Sequence, residues 1–286
     1  MKTGIGYATE RLDHLGIVAG VCGEIGLAEW LDARAGGSGR KVSVGTATVA
    51  MVLNGLGFSN RCLYLAPQFF ANKPVERLLG EGIRAEDLND DCLGRTLDWI
   101  YEQDPTRLLA GIARPAHEVF GVGRERIHVD TTSFSVSGEY SSRSEAADGA
   151  VIEVTYGYSR DHRRDLKQWM LSLATTGDVP LYMRALDGNS SDKVVLVEAV
   201  EALHEQLRAE DPEEPRIFVA DSGLYGEANM IRLGAADVRW VSRAPETSAE
   251  AKAVIDPSTG APPRTGARGG TPALWIYRRA GSAGWS

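Results

Sequence analysis

Asp130 lies inside the run Arg126-Ile127-His128-Val129-Asp130-Thr131-Thr132-Ser133-Phe134, and Asp221 closes a second one, Arg216-Ile217-Phe218-Val219-Ala220-Asp221. Both runs read as strands. A carboxylate inside an apolar strand is costly to bury unless it is paired or bound to a cation. Two such placements, far apart in sequence and separated by strands and one helix, predict a divalent-metal site. Mg²⁺ and Mn²⁺ take hard oxygen ligands, which aspartate supplies. Carboxylates that bridge such ions clamp the attacking and leaving oxygens of phosphoryl transfer. Each aspartate alone also has a plainer reading. Asp130 fits a strand-end turn cap, and Asp221-Ser222-Gly223 is common turn chemistry.

A basic cluster, Arg160, His162, Arg163, Arg164 and Lys167, is the densest in the second half of the chain, with Asp161 and Asp165 partly neutralising it. It is read either as phosphate contact near the metal site or as a solvated hairpin with local ion pairs. Trp99, Trp169 and Trp240 are expected in the core, and His204 on the exposed side of a helix. His14 and His117 have no evident partner in the sequence.

The elements that must position these residues change character near residue 120. Residues 1–120 read as a helical N-terminal domain. Leu12, Leu15, Val18, Ala19, Cys22 and Ile25 recur at helical spacing, Thr46–Asn54 forms a second helix, and Pro74–Leu79 and Leu93–Tyr101 form two more. Asn89-Asp90-Asp91 supplies capping groups. A helix-turn-helix reading of residues 46–65 is weak, because the segment is not basic. Beyond Val122, Arg126–Ser135, Ile152–Tyr158, Gln168–Thr175 and Leu181–Leu186 read as strands or extended segments. Ser190 or Ser191 is expected to cap a helix from Asp192 to about Arg208, with Val195, Leu196, Ala199, Val200, Leu203 and Leu207 on one face. A strand ending at Asp221, a helix from about Glu227 to Leu233 and a strand Val238–Arg243 complete the order β-β-β-α-β-α-β. That is the order of the ribonuclease H-like fold, in which the first strand and the end of the fourth lie side by side. The expected class is α/β (α+β): a helical N-terminal domain, then an incomplete ribonuclease H-like mixed sheet over residues 121–253. Residues 254–286 read as a Gly/Pro-rich tail, with Leu274–Arg279 a short strand lacking an obvious partner.

Four stretches together resemble the DDE transposases of insertion sequences, of the insertion-sequence-four type. His128-Val129-Asp130-Thr131-Thr132 is similar to their first acidic motif and Val219-Ala220-Asp221-Ser222-Gly223-Leu224-Tyr225-Gly226 to their second. Tyr156–Gln168 matches the turn between their second and third strands. Leu186-Asp187-Gly188-Asn189-Ser190-Ser191-Asp192 matches the Gly-Asn-x-x-Asp turn into their first core helix. Leu88–Arg95 looks like part of the helical domain that precedes the core in one branch. The resemblance covers about residues 8–253. It implies a DNA cut-and-join enzyme using Mg²⁺ or Mn²⁺, with Asp130 and Asp221 as catalytic metal ligands. It also implies double-stranded DNA as partner, homo-oligomers, and a cytoplasmic, nucleoid-associated setting. A haloacid-dehalogenase phosphatase would want a second aspartate at position 132, which is Thr.

Composition limits the choices. The chain carries a net charge of −8 with 43% hydrophobic residues, so any DNA contact must come from local clusters rather than a basic domain. No apolar run reaches the length of a membrane span. Three widely spaced cysteines form no zinc or CxxC pattern and read as reduced thiols.

The family's third carboxylate, a Glu on a later helix, has no match. Glu246 and Glu250 occupy its position in insertion-free relatives, yet Arg243–Thr247 resembles the segment before the insertion, so the role is not carried onto them. A frameshift or early stop would explain this, would reduce activity by orders of magnitude, and would leave apolar sheet surface uncovered. The alternative function is a non-catalytic remnant that binds DNA ends or full-length transposase as a regulator. An unrelated metal-dependent nuclease or phosphatase is the third reading.

Overall fold

Helices fill the first of two units into which the chain divides, Met1–Gly121, and a sheet organises the second, Val122–Ser286. The computed structural model describes residues 9–37, 39–59, 61–140, 151–158, 162–245, 247–248, 251–252 and 275–278.

The first unit contains α1 (Leu15–Glu24), α2 (Leu27–Ala35), α3 (Val44–Leu56), α4 (Ala66–Phe70), α5 (Val75–Leu79), α6 (Asp90–Glu102) and α7 (Pro105–Phe120). The expected apolar spacing of α1 is realised: Leu15 and Cys22 are buried, and Leu12, Val18, Ala19 and Ile25 pack against the same core. Trp99 packs there too. Asn89 caps α6 by accepting from the Cys92 N–H at 2.9 Å. α7 was not singled out in the sequence, where Gly111 and Pro115 break its pattern. Its start is well defined, with Pro105 at the first position and Asp104 accepting from the Thr106 N–H at 3.0 Å. The 46–65 segment continues α3 to Leu56. A single 3-10 turn, Leu63–Leu65, then leads into α4, and Asn54 spans the gap through two hydrogen bonds to the Arg61 backbone.

The second unit runs β1 (Arg126–Val136), β2 (Lys167–Thr176), β3 (Val179–Leu186), α8 (Asp192–Glu210), β4 (Ile217–Ala220), α9 (Glu227–Ala235), β5 (Trp240–Arg243) and β6 (Trp275–Arg278). The sheet order is β3-β2-β1-β4-β5-β6. β1, β2 and β3 form an antiparallel meander, β1–β4 and β4–β5 are parallel, and β5–β6 is antiparallel. The first five strands thus have the ribonuclease H-like order, and the class is mixed α/β as expected. α8 and α9 cover one face, where Ile127, Val129, Leu196, Val200, Leu203, Leu207, Phe218, Leu233 and Trp240 form one core. On the other face Leu171, Leu173, Val219 and Val241 are half-buried.

Four details differ from the sequence reading. The strand near residue 275, expected to lack a partner, pairs with β5. Ile152–Tyr158 contributes only one bridge, Thr155 to Gln168. Ser191 holds the cap position of α8, but its side chain makes no capping hydrogen bond. His204, expected to be exposed, is half-buried with its ring 6.0 Å from that of Phe218. It follows Leu203 on α8 and lies at the margin of the buried face, where Phe218 on β4 closes over it.

Burial, then the nearby Arg208 and Arg216, hold the His204 imidazole below its ordinary pKa of 6.5. Below pH 6.5 the unfolded chain therefore takes up a proton that the folded chain resists, and stability falls as pH falls through that range. Urea midpoints at pH 8 and pH 5.5 should differ less for His204→Gln than for the wild-type chain. An equal difference would remove His204 from the account.

Candidate active site

β1 alternates strictly, so Ile127, Val129 and Thr131 face α8 while His128, Asp130 and Thr132 face outward. β4 alternates in step, with Phe218 and Ala220 inward. The parallel register pairs His128 with Val219 and Val129 with Ala220, and the next residue on each strand is Asp130 and Asp221. Each aspartate therefore directly follows the last pair of the ladder, on the outward face of the sheet. Both are exposed. The burial cost that made them conspicuous in the sequence is not incurred, because the alternation turns them away from the core.

Asp221 also performs its turn role. Its Oδ1 accepts from the Gly223 N–H at 2.8 Å and its carbonyl accepts from Leu224 N–H at 3.2 Å and Ser242 Oγ at 2.6 Å. One accepted hydrogen bond leaves most of the acceptor capacity of an ionised carboxylate available. The turn lies directly on α8. A Cβ on Gly223 would come within 2.9 Å of Leu196 Cδ1, which shows how closely the turn approaches α8. Asp130 Oδ1 accepts from the backbone N–H of Thr131 at 2.7 Å.

Two side-by-side carboxylates with solvent access are a hard-oxygen donor pair of the kind that holds Mg²⁺ or Mn²⁺, the remaining positions being filled by water or phosphate oxygens. Among the described residues no group of three or more His, Cys, Asp or Glu could hold a metal ion. Glu246 and Glu250 lie outside the described residues. The described residues of the site thus supply two carboxylates and no third acid.

Of the expected DNA-binding residues, Arg160 lies outside the described residues, as does Asp161. Arg163 is held by Asp165 through two hydrogen bonds of 2.9 and 2.8 Å. That pairing raises the Arg163 pKa and lowers that of Asp165. Lys167 Nζ donates to the Glu139 and Tyr140 carbonyls at 2.5 and 3.0 Å. Arg164 is exposed. Lys167 pairs with Val136, whereas Asp130 pairs with Leu173. Lys167 is therefore six strand positions along β1 from Asp130, roughly 20 Å. Trp240 is buried, as expected for a core aromatic, while Trp169 is half-buried and stacks on Phe134 at 4.6 Å.

The sequence reading missed the contact between Thr131 and Asp192. Thr131 Oγ1 donates to Asp192 Oδ1 at 2.9 Å, joining β1 to the first turn of α8. Period-two alternation, which places Thr131 on the core face beside Ile127 and Val129, was the available signal.

A model of a domain of unknown function, DUF4277, matches residues 7–114. No curated protein matches the chain. Among solved structures, the chain is similar to "Mos1 transposase paired-end complex with left transposon end" at 15% identity, covering 55% of this chain and 51% of that one, with a TM-score of 0.28. "Crystal structure of the Mos1 mariner paired end complex with Mn" matches at 17% identity over 46% of this chain and 39% of that one, with a TM-score of 0.28. "Cryo-EM structure of piggyBac transposase synaptic complex with hairpin DNA (SNHP)" matches at 10% identity over 87% of this chain and 46% of that one, with a TM-score of 0.31. The chain spans about half the length of these proteins or less. At such scores the fold assignment rests on the strand order itself.

Proposed function

We propose that this chain is a transposase-type protein of a bacterial insertion sequence, acting on double-stranded DNA through a divalent ion, Mg²⁺ or Mn²⁺, held by Asp130 and Asp221. The observation that supports the reading is the register of β1 and β4, whose last pair, Val129 with Ala220, immediately precedes two aspartates distant in sequence. The four sequence stretches quoted above support it, and so does the open, oxygen-rich chemistry of the pair. In this reading residues 1–120 form the N-terminal domain and 121–253 the catalytic core. The ion would supply charge stabilisation for an in-line displacement at phosphorus. The two carboxylates hold it on the face that solvent, and hence DNA, can reach. The basic residues Arg163, Arg164 and Lys167, with Arg160, contact DNA backbone at a distance from the scissile phosphate.

On the two carboxylates among the described residues alone, cleavage is slow and strand transfer weaker still. The chain then acts chiefly by binding transposon ends or a second copy, as a regulator would. The direct test is Mn²⁺ binding followed by electron paramagnetic resonance, together with nicking of supercoiled DNA. Asp130→Asn and Asp221→Asn should each weaken Mn²⁺ binding by at least about tenfold and abolish any nicking. Mn²⁺ binding unchanged in both variants would sink the metal reading, and robust strand transfer by the wild-type chain would sink the regulator reading.

A further inference from the structure

β1 loses its parallel neighbour at the level of the candidate site. The last pair is Val129 with Ala220, and from Asp130 onward β1 is paired only on its β2 side, Asp130 with Leu173. Something other than the β4 ladder must fix Asp130 there. Thr131 makes the required connections. Its backbone N–H donates to Asp130 Oδ1 at 2.7 Å, and its hydroxyl donates to Asp192 Oδ1 at 2.9 Å. Thr131 is 1% exposed, so the hydroxyl bond is shielded from competing water. Asp192 is itself well placed to accept. It occupies the first turn of α8, where the helix dipole favours a negative charge. The Asp221–Leu224 turn rests on the same helical turn, since a Cβ on Gly223 would meet Asp221 Oδ1, Leu196 Cδ1 and Asp192 Cβ together.

We infer that Thr131 and Asp192 are a positioning pair for the metal site, orienting Asp130 on β1 and tying it to the helix against which the Asp221 turn packs. Neither is a ligand. Asp192 acts through the Thr131 hydroxyl, and Thr131 acts through its own backbone contact with Asp130. The inference rests on the divalent-metal reading of Asp130 and Asp221.

The test is Mn²⁺ affinity of the full chain, measured by electron paramagnetic resonance alongside the urea midpoint of each variant. Thr131→Val keeps shape but removes the donor, and Asp192→Ala removes the acceptor. Each should weaken Mn²⁺ binding about tenfold, the usual effect of losing a partner behind a ligand. Thr131→Ser and Asp192→Asn retain donor and acceptor, and both should bind Mn²⁺ close to the wild-type level. Wild-type affinity in Thr131→Val and Asp192→Ala, with only the midpoint lowered, would make the pair merely structural. Asp192→Asn binding as weakly as Asp192→Ala would make the Asp192 charge itself the active element and overturn the positioning role. Asp130→Asn binding like wild type would overturn the metal reading, an outcome distinct from either of these.

Discussion

Gly188→Ala is expected to destabilise the second unit by about 3 kcal/mol, the upper part of the range for overpacking, and to weaken Mn²⁺ binding as well. Gly188 sits in the turn between β3 and α8 with its N–H donating to the Glu153 carbonyl at 2.9 Å. A Cβ there would lie 2.0 Å from the Gln168 carbonyl oxygen and 2.6 Å from that of Thr155. Both obstacles are backbone, so rotation of a side chain cannot relieve the overlap. Gln168 is 1% exposed, and its Nε2 donates to the Gly188 carbonyl at 2.7 Å. Moving the turn outward would break that bond and leave the buried amide only its longer 3.3 Å bond to the Tyr158 carbonyl, which adds a cost. The same movement shifts the residues that lead into Asp192. Hydrogen exchange of the β2 peptides and the urea midpoint report the effect. A variant with wild-type exchange and midpoint would show that the turn yields more easily than its contacts imply.

Leu203→Ala should cost the same unit about 3–4 kcal/mol through lost burial and a residual cavity. Leu203 is 0% exposed and shares a core with Val200, Leu207, Phe218 and Trp240. These neighbours come from α8, β4 and β5 and hold one another, so the site has little freedom to collapse. For a unit of this size the loss corresponds to a fall of roughly 10 °C in the melting temperature. A fall of one or two degrees would mean that Phe218 or Trp240 moves into the space.

Much of this architecture was legible because period and burial agree. The apolar run Arg126–Phe134 marked β1, and the stripe from Val195 to Leu207 marked α8 and its buried face; Ile127 and Val129 on the one and that stripe on the other are buried. The strand order then implied that β1 and the end of β4 lie side by side, and the register pairs Val129 with Ala220, one residue before each aspartate. What the sequence hid depends on contacts between elements. The position of His204 is decided by Phe218 on another strand. The partner of residues 275–278 is β5, whose own four residues carry no mark of which neighbour they take. α7 was obscured by Gly111 and Pro115, although both are accommodated within it. The exposure of the two aspartates was misjudged for a simpler reason. An apolar run shows that a strand is partly buried, yet only its phase tells which members are.

The adjacency of β1 and β4 also sets the order in which the molecule can be assembled. During synthesis β1 can pair with β2 and β3 as soon as the meander emerges, because those partners are close in the chain. Its other edge must wait for Ile217–Ala220. At translation rates of about 5–20 residues per second, that edge stays open for roughly 5–20 s on the ribosome. An unpaired strand edge is a template for other strands, including those of neighbouring nascent copies. The outward Asp130 and His128 on β1 place polar groups beside that waiting edge. Asp130 and Asp221 can be brought to one face only once Ile217–Ala220 has paired with β1, so the candidate site waits for the sheet's longest-range central pairing.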